Sequence, residues 1–329
     1  NLETPAPGGS VDAQVKAPLG RSLGLAFSQR AAYEPLINVL SPGAGAAPLP
    51  PDAPQPVPAA GLFERNSWSS TSGVSLEGRW GRRDTTTVGY AYRTQQFVDE
   101  AYGDNAWQDV NAAYRRLLSA QVKGGADYRY RDGKYLDSSD VTRPTIEHRL
   151  EGVAEFIGAP SRRRSYSVLI AAGAGYIESV DATGTTYDSW LPIGRARLTV
   201  NVSPEWLVEG AYQRELSLFQ GVTDEVYTTD TASLKLAGML SRRWSLQLGG
   251  TYSNWVTPVA SGVNDTMDVY GASAGVRFLL SKSLAATAGY YYYVHRYSNP
   301  ASLPEGFPAE YDRQSVRVGV SMYFPIAGS

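Results

Sequence analysis

Residues 283–324 read SLAATAGYYYYVHRYSNPASLPEGFPAEYDRQSVRVGVSMYF, and their spacing decides the fold. Leu284, Ala286, Ala288, Tyr290, Tyr292 and Val294 form one apolar or aromatic set, while Ala285, Thr287, Gly289, Tyr291 and Tyr293 between them are small or polar-tipped. That is the two-residue period of a strand, whose successive side chains point to opposite faces. After a polar connection the pattern returns, with Val316, Val318, Val320, Met322 and Phe324 alternating with Ser315, Arg317, Gly319, Ser321 and Tyr323. Each segment has about the 9 to 11 residues that a tilted strand needs to cross a bilayer.

Working outward, the same period recurs along the chain. It runs through Leu23, Leu25 and Phe27, then Val74, Leu76 and Trp80, then Val88, Tyr90 and Tyr92. It continues through Val110 to Tyr114, Val122 to Tyr130, Ile146 to Phe156, Tyr166 to Tyr176, and five further segments before Leu284. The total is about fourteen strands, an even number of the kind that bacterial outer-membrane barrels use. Connections near Arg82, Leu118, Pro160, Pro204, Arg242 and Lys282 are short, and those near Gly103, Asp137, Asp181, Val222, Ala260 and Leu303 are longer. Strict alternation of short and long matches short periplasmic turns and longer outer loops.

Composition agrees with strands rather than helices. No run of 18 apolar residues is present, which leaves no transmembrane helix to consider, and the chain holds 22 Tyr, 7 Trp and 33 Gly. The absence of cysteine rules out a disulfide framework and a thiolate metal site, and a net charge of -2 argues against bulk binding of a polyanion such as nucleic acid. The sequence begins at Asn1 without a charged-then-apolar leader, as a secreted chain would after processing. The expected fold class is therefore all-β: an antiparallel transmembrane β-barrel of about 14 strands in the outer membrane of a Gram-negative cell.

The organisation expected around it is a flexible arm over residues 1–19, a barrel over residues 20–325 and a tail over residues 326–329. Within the barrel, residues 34–65 are expected to be an outer loop or a lumen plug, because residues 41–60 (SPGAGAAPLPPDAPQPVPAA) carry too much proline for a helix or a ladder. Trp80, Trp190, Trp206, Trp244, Tyr252, Tyr290 and Phe324 fall near strand ends on the apolar face, where interfacial aromatic girdles are expected, with membrane lipids as partners.

The opposite faces carry charge that a dry core could not hold. The inferred lumen set includes Arg79, Arg93, Arg115, Arg129, Arg149, Arg195, Arg197, Arg277 and Arg317, with Arg30, Lys123 and Lys235, against Glu147, Glu151 and Glu155 with Glu77, Asp109, Asp127, Glu209 and Glu215. Basic side chains outnumber acidic ones, and rings of Arg and Lys favour anionic permeants. The same residues read equally well as cross-lumen ion pairs that hold a barrel rigid. Outer loops are acidic, at Asp99, Glu100, Asp104, Asp132, Asp137, Asp140, Asp224, Glu225, Asp265 and Glu310, whereas the turns are basic, at Arg82, Arg83, Arg162, Arg163, Arg164, Arg242, Arg243 and Lys282. The basic turns could face anionic headgroups or a periplasmic protein, or simply be solvated.

No catalytic motif stands out. His148 and His295 are the two histidines, both expected at the membrane interface, and no GxSxG, HExxH or phosphate-loop pattern occurs, so an enzyme is not expected and no cofactor or metal site is assigned. The spacing of Asp99, Glu100 and Asp104 does not match a calcium loop.

Residues 290–324, with their aromatic strand, the Arg296 and Ser298-Asn299 element, the Tyr311-Asp312-Arg313 entry and an alternating last strand, resemble the closing hairpin of outer-membrane β-barrel porins linked to exopolysaccharide export. The resemblance covers about a tenth of the chain, which departs from the usual barrel ending in that Pro325 to Ser329 follow Phe324. It implies passage of a polysaccharide, with Tyr291, Tyr293 and Tyr323 placed to stack on sugar rings; filling and bracing the lumen is their other reading. The function expected is a channel, porin-like or polysaccharide-exporting, with a slightly basic lumen that favours anionic solutes. The alternative is a structural or anchoring barrel for a surface or periplasmic protein assembly.

Overall fold

A computed structural model describes residues 9–37, 63–98, 104–136, 142–161, 163–180, 186–218, 226–256, 266–281, 284–299 and 309–322. Among them lie fifteen strands: β1 (Gly9–Pro18), β2 (Leu23–Ile37), β3 (Phe63–Trp80), β4 (Asp84–Phe97), β5 (Asn105–Leu117), β6 (Val122–Leu136), β7 (Thr142–Ser161), β8 (Arg164–Val180), β9 (Thr186–Ser203), β10 (Trp206–Leu218), β11 (Val226–Met239), β12 (Trp244–Val256), β13 (Thr266–Leu279), β14 (Leu284–Tyr297) and β15 (Glu310–Met322). They form one sheet in which every strand pairs with its neighbours in sequence. Connections alternate without exception between short ones (19–22, 81–83, 118–121, 162–163, 204–205, 240–243 and 280–283) and longer ones. Gly20 and Gly81, with positive φ of 144° and 71°, lie in two of the short turns, where a side chain would be strained.

The fourteen strands expected from periodicity correspond to β2 through β15. The fifteenth corrects part of the expected flexible arm at residues 1–19: Gly9–Pro18 pairs in continuous register with β2, from Gly9 opposite Tyr33 to Pro18 opposite Gly24, while residues 1–8 lie outside the described residues. The segment has the strand period after all. Val11 and Val15 lie on its apolar face, and Asp12 on the other meets Arg30 of β2 at 3.6 Å. Pro18, which has no N–H to donate, is tolerated at the strand end.

Strands are also longer than the apolar alternation. β2 continues to Ile37 and β3 starts at Phe63, which trims the expected 34–65 loop at both ends. The proline-rich residues 41–60 and the tail 326–329 lie outside the described residues. Residues 69–72 of β3 are polar on both faces, yet Ser69 through Ser72 stay in register with Gln95 through Tyr92, and Gln95 donates to the Ser67 hydroxyl at 3.3 Å. A ladder needs backbone partners, not an apolar face, so such overhangs leave no periodic trace.

The chain divides into two compact units: Asn1–Phe156 with Ile170–Gly194 and Glu215–Tyr227, and Ile157–Leu169 with Arg195–Arg214 and Thr228–Ser329. In both, the two faces of the sheet differ. In the first unit one face leaves Val74, Leu76, Trp80, Val88, Tyr90, Leu150 and Ile170 exposed, and the second does the same with Leu234, Trp244, Tyr252, Tyr270 and Tyr290. The other face is where burial is found. In the first unit Ile177 and Leu216 are buried together with Leu191 against them; in the second, Trp255, Met267, Val269, Tyr293 and His295 are buried. A soluble sheet would cover the exposed row of large apolar side chains rather than leave it facing outward.

Candidate functional site

The polar face of the first unit carries a connected arginine–carboxylate network. It starts from alternation: Arg129 and Arg131 on β6, and Glu147 and Arg149 on β7, are each two residues apart and share a face. Register places Arg131 opposite Glu147 and, on the other side, opposite Asp109 of β5. Asp109 is the hub. One of its oxygens accepts from Arg129 Nε at 3.0 Å, Arg129 Nη2 at 2.8 Å and Arg131 Nε at 2.9 Å, and Arg93 Nε of β4 lies 3.9 Å from the other. Arg131 reaches Glu147 at 3.5 Å, and Glu147 also takes Arg149 Nε.

From there the network leaves the strand ladder. Arg149 donates to Glu215 of β10 at 2.9 Å and to the Leu216 carbonyl at 2.6 Å, although β8 and β9 lie between β7 and β10 in the sheet. Such a contact needs the polar face to be concave there. Four guanidinium groups thus share three carboxylates. The Asp109, Glu147 and Glu215 side chains are only 4–5% exposed, and the arginines 11–23%. Directly opposed Arg129 and Arg149 would repel, but carboxylates flank both. Nearer the short turns, Asp127 receives both terminal nitrogens of Arg115 at 2.5 and 2.7 Å, and Glu155 receives Lys123 at 3.2 Å.

Comparison with protein-family models and with curated proteins returns no match. Solved structures do match. The ferric enterobactin receptor PfeA from Pseudomonas aeruginosa superposes with a TM-score of 0.51 at 10% identity, over 97% of this chain and 58% of that one. The FrpB iron transporter from Neisseria meningitidis gives 0.51 at 9% identity, over 91% and 62%. The siderophore receptor PirA from Acinetobacter baumannii gives 0.50 at 9% identity, over 95% and 56%. The fold is that of a Gram-negative outer-membrane β-barrel. The chain spans 56–62% of the length of these three receptors.

With the fold fixed, the apolar face is the lipid face and the charged face lines the interior, short turns being periplasmic and long connections external. Tyr166 and Tyr176 lie ten residues apart on the lipid face of β8. About 33 Å of extended strand, tilted about 40°, projects onto about 25 Å, the height of the apolar band of such barrels. At the upper level of the first unit, Tyr130, His148, Tyr176 and Trp190 form a run of tilted rings with centroids 5.0–6.2 Å apart, and Tyr128 hydrogen-bonds His148 at 2.9 Å. His148 is thus an outward aromatic, as its parity predicts. His295 is not. It is fully buried on the inner face, stacked 5.8 Å from Tyr311 and edge-on to Tyr293 at 5.9 Å, because it shares parity with Tyr293 rather than Tyr290.

The expected lumen residues separate into two groups. Arg93, Arg129, Arg149 and Glu147 join the network toward the external ends of their strands, and Arg115 and Glu155 are paired below it. Glu151 is half-buried beside Asp127. Arg79 at the periplasmic end of β3 is 70% exposed and pairs with Glu77 at 3.2 Å, while in the second unit Arg195 is half-buried and Arg197 and Arg277 are exposed. The Arg317 side chain and Tyr323 lie outside the described residues, as do Phe324 and the loop acids Asp99, Glu100, Asp137, Asp140, Asp224, Glu225 and Asp265. Asp132 and Glu310 fall in strands rather than loops, Glu310 pairing with Arg296 at 3.0 Å. Tyr291 is half-buried, but Tyr293 is 2% exposed and offers no free ring face to a sugar. Arg131 was missed, although it continues the alternation of Arg129.

Proposed function

We propose that this chain is an outer-membrane conduit for anionic solutes. The observation that carries the reading is the inner face of the first unit, where four half-buried guanidinium groups share three buried carboxylates and leave one positive charge in excess. Arginine-rich pore walls lower the barrier for anions and raise it for cations. The exposed Arg79, Arg197 and Arg277 supply charge that a passing solute can meet directly, whereas the network arginines act through their field. The likeness to siderophore and iron receptors supports a barrel of transport type, at an identity that carries no substrate with it. An anionic polysaccharide is the finer version, in keeping with the closing hairpin, and Tyr291 is then the described tyrosine positioned for a sugar.

Reconstitution in planar bilayers tests this. A conducting barrel gives a reversal potential on the anion side in a salt gradient, and joint replacement of Arg79, Arg197 and Arg277 by Gln moves it toward the cation side. Ohmic silence overturns the proposal. The second reading, an anchoring barrel, draws on the Arg149–Glu215 contact and the packing of Ile177 on Leu216, which fill part of the interior. It predicts silence together with a protein that copurifies in fixed ratio in mild detergent.

A further inference from the structure

The lipid face of the second unit holds a groove of about 270 Å³ at the periplasmic ends of β7, β8 and β9, lined by Pro160, Arg164, Tyr166, Val200, Asn201 and Val202. Its floor and walls are apolar. Arg164, Tyr166, Val200 and Val202 share the outward parity of the exposed Ile170 and Leu198, so the groove opens to lipid and not to the interior.

Two local features hold it open. Gly158 is buried beneath the Tyr166 ring, where an added Cβ would come within 2.3 Å of the ring and 2.5 Å of its hydroxyl. The missing side chain therefore seats the tyrosine, which stands as one wall. Asn201 donates to the Ser165 hydroxyl at 2.8 Å, tying β9 to β8 at the same level. No carboxylate lines the groove, and among the described residues Arg164 has no acidic partner. Two other arginines at this level lie near carboxylates: Arg116 is 3.9 Å from Asp84, and Arg79 is paired with Glu77.

We infer that this groove binds a monoanionic phospholipid of the periplasmic leaflet. Arg164, a planar fork of donors, takes the headgroup phosphate in the geometry that guanidinium groups prefer. One acyl chain lies along Val200, Val202 and the face of Tyr166, where it gains van der Waals packing without leaving a polar group unpaired. The occupant is a lipid rather than a soluble phosphate because a single guanidinium over an apolar floor gives a free anion one partner and gives a phospholipid both of its ends.

The test uses the purified full chain in detergent, incubated with equal amounts of phosphatidylglycerol and phosphatidylethanolamine, with retained lipid counted by native mass spectrometry. Phosphatidylglycerol is expected to be retained in preference. Arg164→Gln reduces that retention about fivefold, the weight of one basic side chain at an anionic surface. Val202→Trp fills the groove without changing charge and gives a comparable loss, while Arg243→Gln, on another basic turn, leaves retention unchanged. Equal retention of the two lipids overturns the proposal. So does a loss in Arg243→Gln as large as in Arg164→Gln, which would mean diffuse attraction by the turns. Survival of the lipid in Val202→Trp, or its displacement by inorganic phosphate at millimolar concentration, would also overturn it.

Discussion

Asp109 shows how much can depend on one carboxylate. It is 4% exposed, and three arginines converge on it from two strands. Taking a charge out of water is costly, and close opposite charges offset that cost only while every partner is present. Asp109→Asn keeps the shape and removes the charge, leaving Arg93, Arg129 and Arg131 to repel one another. We expect a loss of about 3–5 kcal/mol in folding stability, measured as the urea midpoint of the protein refolded in lipid vesicles. Glu310→Gln is the contrast. It breaks an ion pair of similar length, 3.0 Å to Arg296, but both side chains are about two-thirds exposed, and the same measurement should move by less than about 1 kcal/mol.

At the scale of the strand, the two faces make opposite demands. Leu248 lies between Trp244 and Tyr252 on the lipid face of β12, and Gln247 beside it points inward. Leu248→Arg should destabilise the barrel by about 2–4 kcal/mol, as arginine does near the bilayer midplane, whereas Gln247→Arg should cost far less; urea unfolding in vesicles separates them. That contrast also explains what could be read in advance. Within the apolar band, lipid forces alternation on every strand, so β2 through β15 were legible from residues such as Val74, Leu76 and Tyr290. Outside the band the constraint lapses, and the polar overhang at Ser69 to Ser72 left no signal. β1 was hidden because Asp12, Lys16 and Pro18 resemble a solvated arm until Asp12 is seen opposite Arg30. In the network, Arg129, Arg149 and Asp109 were legible by parity, but the reach of Arg149 to Glu215 was not. It joins strands that are not neighbours and depends on the concavity of the sheet, which no period in the sequence encodes.

For the molecule as a whole, net charge misleads about selectivity. The chain carries 30 basic and 32 acidic residues, yet its inner face is basic where the network lies, because Asp132, Asp268 and Glu310 sit on the outward face beside Gln108, Tyr252 and Arg296. A solute inside a barrel meets the inner set first, and the outer set only through lipid or screened by the surrounding water. This separation makes a prediction that does not depend on removing any residue. In water the field of the exposed Arg79, Arg197 and Arg277 decays over a Debye length of about 10 Å at 0.1 M salt and about 3 Å at 1 M. At the lower concentration that length is comparable to half the width of a barrel interior, and at the higher it hardly clears the side chain. Anion preference should therefore be marked at about 0.1 M and fall steeply toward 1 M, read as the shift of reversal potential at a fixed tenfold gradient. Buried charges are screened much less than exposed ones, so a residual preference at 1 M is the share due to the arginine network. Asp109→Asn raises that residue by removing a negative charge, whereas neutralising Arg79, Arg197 and Arg277 abolishes the salt-sensitive part and leaves the residue in place.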